Sequence, residues 1–162
     1  MLFPMMRERL LTALAGTPEV LDGLLATLPP DDPRWDTRPD PDRFTLREIL
    51  AHLVDYEAIF SERIRQTREE NAPNLLPADR DQLAIDHHYA HSDPTLSRAQ
   101  LAERRTQLVA YLKNLSSEDW QRIGHWTGPS GGPLTLEEQA AFVVIHDGYH
   151  LQQVVRWMRK GG

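Results

Sequence analysis

Cysteine is absent from the 162 residues. That excludes disulfides, thiolate catalysis and any zinc or iron–sulfur site built on cysteine ligands. Long apolar runs are absent too, and no stretch approaches the roughly 20 residues of a membrane-spanning helix. Basic charge is scarce: 18 Lys and Arg face 24 Asp and Glu, for a formal net charge of −6. A general nucleic-acid binder carries a basic face, so this balance speaks against one. The opening Met1-Leu2-Phe3-Pro4-Met5-Met6-Arg7-Glu8 lacks the basic start and apolar run of a secretory signal. A cytoplasmic protein without membrane or nucleic-acid partners is expected. What is present is ordinary for a globular chain, 40% apolar and 26% charged, with a length that suits one domain over 1–162.

Convincing β-alternation, internal repeats and low-complexity tracts are also missing, while helical spacing runs through most of the chain. Met6, Leu10, Leu14, Leu21, Leu24, Leu25 and Leu28 mark a first helix. Thr17-Pro18 predicts a kink or restart there, with Thr17 as a cap and Pro18 at the first position. Five prolines among aspartates over 29–44 predict an ordered loop anchored by Trp35 and Phe44. Thr45 with Glu48 has capping-box spacing and opens a second helix running to about residue 70. A long connection over 71–96 holds a short helix around 79–90. A third helix is expected from Ser97, capped with Gln100, followed by another turn at Ser117-Glu118-Asp119-Trp120. Four glycines and two prolines make 124–134 a loop. Thr135 and Glu138 open the last helix. Four amphipathic helices without strands predict an all-α four-helix bundle.

The last helix carries His146-Asp147-Gly148-Tyr149-His150. Histidines four apart project from one helix face, where both imidazoles can converge on one cation. His52, early in the second helix, is the best candidate for a third ligand. Counting about 100° per residue puts His146, His150, Gln153 and Trp157 on one flank of the last helix. The same count groups His52 with Ile49, Tyr56 and Ile59 on a flank of the second. Both flanks can border a cleft. Against this stand plainer readings: the pair as ordinary polar residues on a helix surface, and His52 as a packed histidine. Asp147 occupies the position of the general base in zinc metalloproteases, but it is a methylene shorter and points toward the apolar stripe. A buried hydrogen-bonding role suits it better. His87, His88 and His91 read as solvated surface, and Trp35, Trp120, Trp126 and Trp157 as packing residues, those in loops able to line a pocket.

The arrangement resembles the DinB/YfiT-like superfamily over nearly the whole chain. The likeness lies in Trp35-Asp36-Thr37-Arg38-Pro39 and in Thr45-Leu46-Arg47-Glu48-Ile49-Leu50-Ala51-His52-Leu53. It is strongest in Leu134-Thr135-Leu136 followed by His146-Asp147-Gly148-Tyr149-His150-Leu151-Gln152-Gln153. One departure is Gln152, where many relatives have glycine. The resemblance implies a four-helix bundle whose His52, His146 and His150 bind a divalent metal, zinc or nickel foremost, with manganese or iron as further options. It implies a homodimer and a small-molecule substrate. It further implies an enzyme that transfers a low-molecular-weight thiol to or from a small electrophile, the thiol being external to this cysteine-free chain. A metal-dependent hydrolase and a non-catalytic metal-binding stress-response bundle are the alternatives. Tyr56, Asp147 and Gln153 are the candidate catalytic residues, as hydrogen-bonding groups beside the ion.

Overall fold

The structure is a computed structural model that describes residues 4–160; Met1–Phe3, part of the stretch read for a signal, lie outside the described residues. The elements in order are α1 (Pro4–Leu25), α2 (Leu46–Glu69), β1 (Asn74–Leu75), α3 (Arg80–Asp86), α4 (Pro94–Lys113), β2 (Ile123–Trp126), β3 (Gly132–Thr135) and α5 (Leu136–Lys160). The four long helices make the bundle. Each of α1 and α2 packs against both α4 and α5 rather than chiefly against the other. The consecutive pair α1 and α2 therefore sits diagonally, and the long proline-rich connection supplies the reach. Trp35 anchors that connection, 1% exposed, with its indole N–H donating to the Pro29 carbonyl.

The helix starts follow local chemistry. Thr45 accepts from the Glu48 N–H while the Glu48 carboxylate accepts from the Thr45 N–H, so the capping box forms. Thr135 and Glu138 repeat this pattern at α5. The expected Ser97 start is corrected: Asp93 caps α4 and Pro94 holds its first position. The Thr17-Pro18 restart is also corrected, because α1 runs unbroken through Pro18.

The expectation of no strands fails in one place. β2 pairs antiparallel with β3 and parallel with β1, in the order β1-β2-β3. Residues 124–134 are thus mainly a hairpin, not a loop. Gly124 is needed there for close approach: a Cβ would lie 2.7 Å from Thr67 Oγ1 on α2 and 2.8 Å from a Leu75 methyl. Pro133 is tolerated because β3 is an edge strand.

A polar layer divides the core into two apolar clusters. One gathers around Leu50, Leu53, Trp35 and Val154, the other around Leu14, Phe60, Leu112 and Val143. Between them lies Arg105 of α4, 1% exposed. Its guanidinium donates to both oxygens of Glu57 on α2 at 2.7 Å and to Asp147 on α5 at 2.6 and 3.2 Å. Thr17 of α1 also donates to Asp147, at 2.7 Å. All four bundle helices meet at this layer. Burial pushes the Glu57 carboxyl up, against the pull of Arg105.

Candidate metal centre

His52 sits five positions before Glu57 on α2, and His146 and His150 flank Asp147 on α5. The charged layer therefore fixes the two helices at the level of the three histidines. The outcome is a cluster whose ligand-type nitrogens all lie within 4.8 Å of one another, the only such group found among the described residues. His52 Nε2 and His146 Nε2 are 3.1 Å apart. Nitrogens on one tetrahedral zinc, at about 2.0–2.1 Å from it, stand roughly 3.3 Å apart, so the spacing suits two ligands of one ion.

The proton inventory fits the same purpose. His150 Nδ1–H donates to Gln153 Oε1 at 3.0 Å, which leaves its Nε2 lone pair free. The Nδ1 atoms of His52 and His146 are buried without hydrogen-bond partners. Burial, with the neighbouring imidazoles, holds His52 at about 2 and His146 at about 3. Burial likewise lowers His150 to about 4. At neutral pH all three rings are uncharged, the form that binds a metal.

The cluster forms part of the wall of an open cavity of about 550 Å³ that also takes in Tyr56 and Gln153. Tyr56 stacks on His146, centroids 5.1 Å apart and planes within 9°, and burial raises its phenol pKa. Three arginines stand around the opening. Arg38 is bound to Glu48, Arg43 to the Tyr149 hydroxyl, and Arg80 lies over Phe44. Tyr149, Arg43 and Arg80 escaped the sequence reading, since nothing local distinguishes them from other exposed polar residues. Phe44 was legible as a loop anchor but not as cavity wall.

Tyr56 and Gln153 are brought beside the histidines. Asp147 is not: its carboxylate turns inward to Arg105 and Thr17, so its place among the catalytic candidates is corrected to the interior polar layer. His87, His88 and His91 are exposed; His87 Nδ1 donates to Asp55, and the three form no metal-type cluster. Trp35, Trp120 and Trp157 are buried, whereas Trp126 lines a second cavity. Gln152 points into solvent and disturbs no packing. No helix among the described residues is long and apolar enough to cross a membrane.

Comparison with known proteins agrees with this picture. The chain is 24% identical over 131 residues to YfiT of Bacillus subtilis (strain 168), a proposed metal-dependent hydrolase, covering 81% of this chain and 73% of that protein. The solved structure of YfiT, described as an unusual four-helix bundle topology, superimposes with a TM-score of 0.89 at 21% identity, over 99% of this chain and 90% of that one. The likeness extends the shared fold to the diagonal placement of α1 and α2 described above. A family model for the DinB superfamily matches residues 13–154, from the middle of α1 to well within α5 and so across all four bundle helices. The chain belongs to the DinB superfamily.

Proposed function

We propose that the protein is a divalent-metal-dependent enzyme in which His52, His146 and His150 hold one ion and a low-molecular-weight thiol is transferred to or from a small electrophile. The carrying observation is the convergence of three neutral imidazoles at the wall of an open cavity. Three nitrogen donors leave coordination space on the cavity side, and imidazole suits zinc and nickel. A bound ion supplies charge that favours the thiolate of a bound thiol, or the hydroxide of a bound water.

The chain's own residues orient that chemistry. Gln153 fixes the His150 tautomer. Tyr56 keeps its proton and serves as a donor at the cavity wall rather than as a base. In a transfer the S–H proton of the thiol passes to solvent water, the sulfur forms a bond to carbon of the electrophile, and the bond from that carbon to the leaving group breaks with its electron pair going to the leaving group. A homodimer belongs to the same proposal, and light scattering at micromolar concentration tests it, a monomeric mass removing it.

The name borne by YfiT favours a second reading, hydrolysis, in which water takes the place of the thiol. One experiment separates the two. Zinc- or nickel-loaded protein is assayed for consumption of monochlorobimane with bacillithiol, glutathione and other small thiols, beside a panel of esters and amides. Thiol-dependent turnover that is lost on chelation and in a folded His146→Ala variant supports transfer. Cleavage of esters or amides alone replaces it with hydrolysis. Silence across both panels leaves a non-catalytic metal-binding bundle.

A further inference from the structure

The seam between α2 and α5 continues past the histidines into a second cavity. Its rungs are side-chain pairs. His52 faces His150 with centroids 4.7 Å apart, and Tyr56 stacks on His146. Phe60 then meets Phe142 edge-on at 5.8 Å, and Gln139 donates to Thr67 at 2.9 Å. Phe60 also touches His146, at 5.2 Å between centroids. The ring that closes one end of the histidine cluster is thus a wall of the next space.

That space measures about 400 Å³, within the range of small-molecule sites. Its walls are largely apolar: Phe60, Leu75, Trp126, Leu134 and Phe142. Trp126 is held against the hairpin turn, its indole N–H donating to the Pro129 carbonyl. A Cβ on Gly128 would come within 2.5 Å of that indole, so only glycine lets the ring lie there.

One cation lines this cavity. Arg63 is half-buried, its guanidinium lies over the Trp126 ring at 4.9 Å, and it donates to the Leu76 carbonyl. Among the described residues no carboxylate pairs with it. Each arginine at the first cavity has a carboxylate within ion-pair distance, Arg38 with Glu48, Arg43 with Asp40 and Arg80 with Asp81, whereas Arg63 borders a largely apolar chamber without one. A partly desolvated cation without a counter-ion is electrostatically incomplete, and an anion arriving with an apolar body completes it.

We propose that this cavity binds a small apolar or aromatic carboxylate, its body among Phe60, Trp126, Leu134 and Phe142 and its carboxylate on Arg63. As a binding site it does not rest on the metal reading. A ligand seated here is separated from His146 by the Phe60 ring.

Isothermal titration at pH 7.5 with octanoate, 1-octanol and octylamine tests the proposal, because one tail then carries an anion, a neutral group and a cation. Octanoate should bind in a saturable one-to-one manner, roughly tenfold or more tighter than octanol, the weight of a charge-assisted hydrogen bond. Octylamine should bind most weakly. Metal-free and zinc-loaded protein should give the same octanoate affinity, which keeps this outcome separate from the fate of the metal reading. Arg63→Gln should remove the preference for octanoate over octanol. Phe142→Asp, at a half-exposed position, should weaken octanoate by a similar factor while the helical circular-dichroism signal is kept. Absent saturation, equal affinities for the anion and the alcohol, or an Arg63→Gln variant that keeps the preference would each overturn the proposal.

Discussion

Arg105 supplies the hydrogen bond that Pro18 withholds. Proline has no N–H, so the Leu14 carbonyl four residues earlier loses its helical donor, and Arg105 Nη1 takes that oxygen at 2.8 Å. A proline inside a helix thereby opens an acceptor toward the bundle axis. The same guanidinium binds Glu57 and Asp147, so the break in one helix's ladder becomes part of the joint between all four.

This joint makes a double-mutant cycle informative. Arg105→Met leaves two buried carboxylates without their cation and should cost about 3–5 kcal/mol in urea unfolding. Pro18→Ala restores the N–H to Leu14. It should therefore stabilise the Arg105→Met background more than the wild type, by about 0.5–1.5 kcal/mol. Additive effects would show that the two residues do not share the carbonyl energetically.

Gln153 tests how the histidine cluster is oriented. Gln153→Leu removes the acceptor of the His150 Nδ1 proton and keeps much of the side-chain volume. Zinc affinity in a competition assay with a chromophoric chelator should fall about 10–100-fold, the usual weight of a partner behind a ligand. His52→Ala and His150→Ala should lose the ion more completely. Equal metal retention by all three variants and the wild type would remove the ligand assignment.

Acid should destabilise the metal-free protein through the same cluster. The folded pKa values of His52, His146 and His150 lie below the ordinary 6.5. The unfolded chain therefore takes up protons first, and stability falls as pH drops below that value, until the folded rings protonate near 4 and lower. The limiting slope is about 1.4 kcal/mol per pH unit for each histidine. Urea unfolding at several pH values from 7 to 5 should show His146→Ala with a shallower dependence than the wild type. Parallel curves would mean that His146 is not held neutral by the fold.

Gly124 tests the contact of the hairpin with α2. Gly124→Ala drives a methyl into Thr67 and Leu75 and should cost about 1–3 kcal/mol as overpacking. The octanoate cavity shares Leu75, so its affinity should fall in step. A variant as stable as the wild type would show that the hairpin can lift away without penalty.

Much of this architecture is local and was readable. The boxes at Thr45 and Thr135, the short helix within 79–90 and the four apolar stripes follow from propensity and period. The pairing of His146 with His150 follows from helix geometry, and so does the inward aim of Asp147. The strands were hidden because Gly124, Gly131, Gly132 and Pro133 are loop residues by local preference; ladder partners from distant segments override that preference.

The sequence by itself determined where the four long helices lie, the capped starts of α2 and α5 and that two histidines share one face of α5, because these depend on neighbours within a few residues. Only the tertiary structure decided that His52 completes the cluster, that Trp126 and Arg63 frame a second cavity and that Arg105 is interior. Arg105 lies on the stripe of Leu101, Leu108 and Leu112, yet a charge on an apolar face is ordinarily turned to solvent. It stays inside because Glu57 from α2 and Asp147 from α5 reach it from other helices, and a buried charge is tolerable only where such partners arrive through space.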